Sequence, residues 1–239
     1  MHARVPANPA PEGTPAVVLV HGLVVSSRYM VPTLSRLAAD HRVYAPDMPG
    51  FGRSEKPPRA LDIPGLARAL DGWMEATGLE SAVLAGNSMG CQVIAELAVR
   101  NPARVERAVL QGPTMDPDAR NLPQQAARLA LDALLEPPSM LLIEGLDLLA
   151  TGPLRALHTF RHAADDRIEE KLPMLKAPTL VLHGALDPIV SLRWTERVTG
   201  LLPDGRLVVV PKAAHAMTYN APSEVARHVR AFVRADTIR

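Results

Sequence analysis

Short apolar runs, each closed by turn-forming residues, recur along the chain with helix-periodic segments between them. Residues 17–20, 43–45, 83–85, 108–110, 180–182 and 207–210 are almost continuously apolar. That pattern fits strands buried on both faces, as in a parallel sheet covered by helices, better than strands with one wet face. Between the runs, apolar positions fall three and four residues apart. Met30, Leu34, Leu37 and Ala38 share a helix face behind the candidate caps Ser26 and Ser27. Leu66, Ala69, Leu70 and Trp73 do the same behind Asp62 and Pro64, and Ser223 is expected to cap a last helix buried through Val225, Val229, Phe232 and Val233.

One region breaks the alternation. Residues 115–173 are rich in Leu, Ala and Met, carry no strand signal, and are divided by prolines 123, 137, 138 and 153 into short helices. The pattern predicts a core formed by residues 1–114 and 174–239, with 115–173 inserted as an all-helical cap laid over the strand ends.

Composition narrows the class. A chain of 239 residues with 47% apolar and 21% charged residues is large enough for one globular domain with a buried core. Its net charge of +1 offers no field for nucleic acid. The longest apolar stretch, 139–150, is too short to span a bilayer and contains Glu144 and Asp147. Residues 1–15 are rich in Pro and Ala without the apolar centre of a signal peptide, so a cytoplasmic protein is expected. The lone cysteine, Cys91, excludes an intramolecular disulfide and reads as a small packing residue.

Candidate chemistry centres on Gly86-Asn87-Ser88-Met89-Gly90, between the run ending at Ala85 and a helical segment that stops at Asn101-Pro102. A serine on a sharp strand-to-helix turn is presented to both a base and a substrate, and the flanking glycines leave room for the turn. Ser88 is therefore the candidate nucleophile. It needs a general base, and the base needs an orienting acid. Of the eight histidines, His2 and His41 are expected at exposed positions, and His158, His162 and His228 lie within helical segments. His21 and His183 sit in His-Gly pairs at strand ends, where backbone roles are expected. His215 follows the strand at 207–210 by a short loop, and Asp187 follows the strand at 180–182. Catalytic groups of parallel sheets gather beyond the C-terminal strand ends. The i, i+4 pair His158 and His162 has metal-like spacing, but no carboxylate or cysteine pattern completes a site, and no metal is expected.

Five ordered signatures together resemble the α/β-hydrolase superfamily from Ala16 onward. They are His21-Gly22, the segment Asp47-Met48-Pro49-Gly50-Phe51-Gly52-Arg53-Ser54, the Gly86 to Gly90 turn, Gly184-Ala185-Leu186-Asp187, and Ala214-His215. The resemblance implies a mostly parallel sheet covered by helices on both faces, with Ser88 as nucleophile, Asp187 as acid and His215 as base. Some members draw the acid from the preceding strand, which makes Asp116 or Asp118 the substitutes. The implied oxyanion hole uses the backbone N–H of Met89 and that of Leu23, or otherwise Val24. No cofactor is implied. Asp47 to Ser54 reads as a structural turn beside the pocket. Most members begin with two antiparallel strands before the His-Gly strand, whereas residues 1–15 here carry prolines 6, 9, 11 and 15. Those strands are expected to be reduced or absent, leaving residues 42–47 near a sheet edge. The N-terminal tail, or a second subunit in a homodimer, is expected to cover it.

A Ser-Asp-His set with an oxyanion hole carries acyl transfer to water. The expected activity is hydrolysis of small to medium carboxylic esters with an apolar part, the substrate being held by Val24, Met140, Leu141, Leu157 and Met217. Two other readings stay open. The Gly-Asn-Ser-Met-Gly variant also resembles the C–C bond hydrolases of aromatic ring-fission products. Those carry Trp directly after the catalytic His, where this chain has Ala216, and use a cap arginine, for which Arg155 and Arg161 are candidates. Some members of the fold are instead ligand-binding receptors or scaffolds.

Overall fold

The computed structural model describes residues 1–234 apart from Pro9 and Glu12. The elements in chain order are β1 (Ala3–Arg4), β2 (Ala16–Val20), α1 (Val31–Leu37), β3 (Arg42–Pro46), α2 (Ile63–Ala76), β4 (Ala82–Asn87), α3 (Met89–Arg100) and β5 (Val105–Gln111). There follow α4 (Leu122–Leu135), α5 (Pro138–Thr151), α6 (Pro153–Asp165) and α7 (Ile168–Lys171), then β6 (Thr179–Gly184), α8 (Leu192–Leu201), β7 (Gly205–Val210), α9 (Met217–Asn220) and α10 (Pro222–Arg234). The seven strands form one sheet in the order β1-β3-β2-β4-β5-β6-β7, parallel except for β1.

The continuous apolar runs are strands with both faces covered. Because successive side chains point to opposite faces, Val18, Val20, Leu84, Ala108, Leu110 and Val181 pack into one cluster with α2, α3 and α8. Val17, Leu19, Val83, Ala85, Val109 and Leu182 pack into the other with α1 and α10. The helices begin where chain chemistry allows. Asp62 accepts from the Gly65 N–H at the start of α2, which has Pro64 in its first turn. The last helix starts two residues earlier than a Ser223 cap implies. Pro222 opens it, and the Ser223 hydroxyl accepts instead from Arg36 Nε of α1.

The N-terminal strands are reduced to β1, which pairs antiparallel with β3 through Ala3–Pro46 and Arg4–Ala45. The tail itself covers the edge there. The Asp47 N–H donates to the His2 carbonyl, and the His2 N–H donates to the Ser54 hydroxyl, both at 2.9 Å. Pro9, one of the four prolines that weaken strand pairing in this tail, lies outside the described residues. His2 is half-buried through its 2.9 Å contact with Asp47. His41 is buried, not exposed. The end of α10 folds over its corner, where Arg230 and Arg234 pair with Asp40.

The chain moves from β2 outward to β3 and returns to the opposite side of β2 as β4. This reversal opens a crevice beyond the carboxyl ends of β2 and β4. Residues of α4, α5 and α6, from the segment 115–173, line its far side. That segment holds α4 to α7 and no strand among the described residues. Prolines 123, 138 and 153 each stand at the first or second position of a helix.

Candidate active site

Ser88 links β4 directly to α3, with φ 56° and ψ −123°. A non-glycine residue rarely takes positive φ, and surrounding packing must hold it there. Two glycines make the turn sterically possible. A Cβ on Gly86 would lie 2.6 Å from the Gly90 carbonyl carbon, and one on Gly90 would overlap the Val20 carbonyl oxygen. The Ser88 N–H donates to the Gln111 carbonyl at 2.9 Å, and the Ser88 carbonyl accepts from the Cys91 N–H at 2.9 Å. Cys91 is buried behind the turn, its thiol facing the Gly86 carbonyl, and burial pushes its pKa up.

Asp187 and His215 come from the loops after β6 and β7. His215 Nδ1 lies 2.8 Å from Asp187 Oδ2, while Asp187 Oδ1 accepts the Ile189 and Val190 N–H groups at 2.8 and 3.0 Å. Burial alone would raise the Asp187 pKa, but the His215 charge and these hydrogen bonds leave it below the ordinary value. Burial alone would lower the His215 pKa. The carboxylates of Asp187, Asp132 and Glu136 outweigh it and raise the imidazole to about 9. Asp116 is elsewhere, capping the turn at residues 117–119 through the Asp118 N–H.

Several residues shape this arrangement that the motifs alone do not single out. Gly112, with φ 52°, follows β5. A Cβ there would stand 3.0 Å from the His215 ring and 3.1 Å from Asp187 Oδ2, so glycine leaves room for the pair. Asn87 Nδ2 donates to the carbonyls of Gln111 and His215, each at 3.1 Å. Its Oδ1 accepts from the Tyr29 hydroxyl at 2.8 Å, and that hydroxyl accepts from the Gly22 N–H at 3.1 Å. A buried chain of hydrogen bonds thus joins the loops after β2, β4 and β7. The signal available in the sequence was Asn87 itself, a polar residue at the end of a buried strand.

His21 has the backbone role its His-Gly pair suggests. Its Nδ1 lies 2.7 Å from the Gly22 carbonyl and its Nε2 accepts the Met48 N–H at 2.9 Å, so the ring is neutral with the proton on Nδ1. Burial holds its pKa below the usual value. Asp47 organises the neighbouring turn by accepting N–H groups from Ser27 and Arg53 at 2.7 and 2.9 Å.

Ser88 and His215 open onto a cavity of about 440 Å³ that extends between the sheet and α4, α5 and α6. Leu23, Val24 and Met89 line it close to the serine, and Val24 holds φ 66°. Met140 and Leu141 also line it, together with Leu129, Leu148 and Phe160. Two residues expected in the wall are absent from it. Leu157 stands off the lining because α6 turns Phe160 and Ala163 inward instead. Met217 is fully buried in the core cluster shared with α1 and α10, since α9 tucks beneath the His215 loop.

Helix α4 and the residue after it reach the His215 loop through acids. Asp132 Oδ1 accepts the His215 backbone N–H at 3.3 Å, and Glu136 Oε1 accepts the Ala216 N–H at 2.9 Å. Burial raises the Asp132 carboxyl to about 6. Arg155 and Arg161 do not line the cavity. Arg155 donates to the Pro57 carbonyl and packs over Gly50. Among the described residues, no group of three or more His, Cys, Asp or Glu is arranged to hold a metal ion, and no helix is long and apolar enough to cross a membrane.

The family model described as "Alpha/beta hydrolase family" matches residues 17–228. A pimeloyl-[acyl-carrier protein] methyl ester esterase of Pectobacterium carotovorum subsp. carotovorum (strain PC1) is 27% identical, covering 93% of this chain and 96% of its own. A 2-hydroxy-6-oxo-6-phenylhexa-2,4-dienoate hydrolase of Burkholderia cepacia is 29% identical over 89% of this chain and 85% of its own. Among solved structures, a thermophilic esterase from Thermogutta terrifontis shares the fold with a TM-score of 0.80 at 24% identity, covering 98% of this chain and 93% of that one.

Proposed function

The chain belongs to the alpha/beta hydrolase family, and from that premise we propose that it hydrolyses carboxylic esters with an apolar part through an acyl-enzyme on Ser88. The observation that carries this reading is the strained Ser88 turn opening on the same cavity as His215, whose Nδ1 is held 2.8 Å from Asp187.

In this reading His215 Nε2 takes the Ser88 proton as Oγ attacks the ester carbonyl. Asp187 keeps the ring's proton on Nδ1 and stabilises the imidazolium that forms. The developing oxyanion is met by the N–H groups of Leu23 and Met89, fixed donors of a kind typically worth ~3–4 kcal/mol of barrier each. The imidazolium then protonates the leaving alcohol. Water, deprotonated by His215, attacks the acyl-enzyme and releases the acid. Residues 115–173 act as a cap that supplies the aliphatic walls for the acyl or alcohol group.

C–C bond hydrolysis of ring-fission products fits less well. The charged side chains that face the cavity from the cap, Asp132 and Glu144, are acids, where a substrate carboxylate needs a cation. The test is steady-state hydrolysis of p-nitrophenyl esters from acetate to palmitate, with Ser88→Ala alongside. Ser88-dependent turnover that peaks at one chain length is expected. Absence of turnover on every ester overturns the proposal.

A further inference from the structure

We propose that Glu144, on α5, is a specificity-determining residue of the cavity and receives a substrate group bearing an ammonium, while substrates ending in a carboxylate are turned away. The inference rests on the ester-hydrolase reading for its chemistry but not for its binding preference.

Three observations carry it. First, Glu144 faces a cavity whose neighbouring walls are aliphatic, with Met140, Leu141 and Leu148 from its own helix. Among the described residues no hydrogen bond or ion pair engages its carboxylate. Glu144 is half-buried, so its carboxylate gives up part of its hydration in this wall, and a ligand that brings an opposite charge offsets that loss. Second, no arginine or lysine lines the cavity. His215 is the lining residue able to carry positive charge there, and it is matched by Asp187 at 2.8 Å. Asp132 and Glu144 are left as the uncompensated charge of the wall. Third, Asp132 spends Oδ1 on the His215 backbone N–H, whereas Glu144 has both oxygens free for a ligand among the described residues. Burial, with the Asp132 and Glu136 carboxylates nearby and His215 opposing, raises the Glu144 carboxyl to about 7. An arriving cation therefore favours the ionised form.

The test uses the full chain carrying Ser88→Ala, so that turnover does not interfere. Affinities for n-hexylammonium and hexanoate, which match in length and differ in charge, are measured by calorimetric titration at mildly alkaline pH. Hexylammonium is expected to bind at least ~10-fold more tightly, the factor that follows from ~1.4 kcal/mol of charge preference. Adding Glu144→Gln should bring the two ligands within ~3-fold of each other, and Glu144→Asp should keep the preference. Glu144→Gln is expected to fold, and an unchanged melting temperature checks it. Equal or tighter binding of hexanoate, no saturable binding of hexylammonium, or a ratio untouched by Glu144→Gln each overturns the proposal. A preference for hexylammonium in a protein that hydrolyses no ester would refute the proposed reaction and leave this assignment standing.

Discussion

Replacing Asp132 by asparagine removes a charge beside His215 while keeping an oxygen for the backbone N–H that Asp132 Oδ1 now accepts at 3.3 Å. The Asp132 carboxyl, at about 6, is ionised across the range in which His215, at about 9, loses its proton. The His215 ring lies a side chain further away than its backbone nitrogen. A separation of ~6 Å and an effective dielectric of ~40 give ~1.4 kcal/mol, or about one pKa unit. In the proposed mechanism His215 acts as a base only when neutral, so kcat/KM of the parent should rise with pH through a midpoint near 9. In Asp132→Asn the midpoint should fall to about 8, and activity at pH ~7 should rise about tenfold as the neutral fraction grows. The assay is the pH profile of kcat/KM on a neutral p-nitrophenyl ester, which reports the free enzyme's titration. A midpoint that moves by less than ~0.3 units, or upward, would refute the claim that cap carboxylates raise the base.

Other perturbations probe the frame around the candidate triad. Asp187→Asn should lower kcat by at least ~100-fold, while Asp116→Asn, whose carboxylate serves the Asp118 N–H and the Ser191 hydroxyl rather than His215, should stay within ~3-fold; the reverse pattern would move the acid to the loop after β5. Gly90→Ala forces a Cβ into the Val20 carbonyl oxygen and should destabilise the fold by ~3 kcal/mol or more in a urea titration. Tyr29→Phe strands the Gly22 N–H and Asn87 Oδ1 inside the protein. It should cost ~2 kcal/mol and lower kcat through the loosened His215 loop, and an unchanged urea midpoint would contradict the network's role.

Much of the frame could be read before folding because burial on both faces leaves a direct trace. The strands at 17–20, 83–85 and 180–182 are apolar at every position, since each alternate side chain meets a different helical layer. The serine turn was legible because its geometry demands small residues on both sides. Ser88, Asp187 and His215 lie just beyond strand ends, and the sheet brings those ends to one edge.

What escaped the sequence depends on long-range closure. Asp132, Glu136 and Glu144 look like the wet positions of leucine-rich helices. They come to the candidate site only because α4 and α5 fold down over the loop after β7, far away in sequence. The rotation of α6 about its axis, which brings Phe160 and not Leu157 to the cavity, is set by contacts with α3 such as Gln92 Nε2 donating to the Ala163 carbonyl at 2.8 Å. His41 is buried by a helix almost 200 residues downstream, so no local pattern foretells it. Gly112 carries no motif, and its need arises only once His215 and Asp187 meet beside it.

The most direct test of the central claim is mass spectrometry of the protein quenched with acid during turnover of p-nitrophenyl butyrate. The account predicts a butyryl adduct on the peptide containing Ser88, absent in Ser88→Ala. Sustained ester turnover with no adduct on Ser88, or with the adduct on another residue, would contradict it.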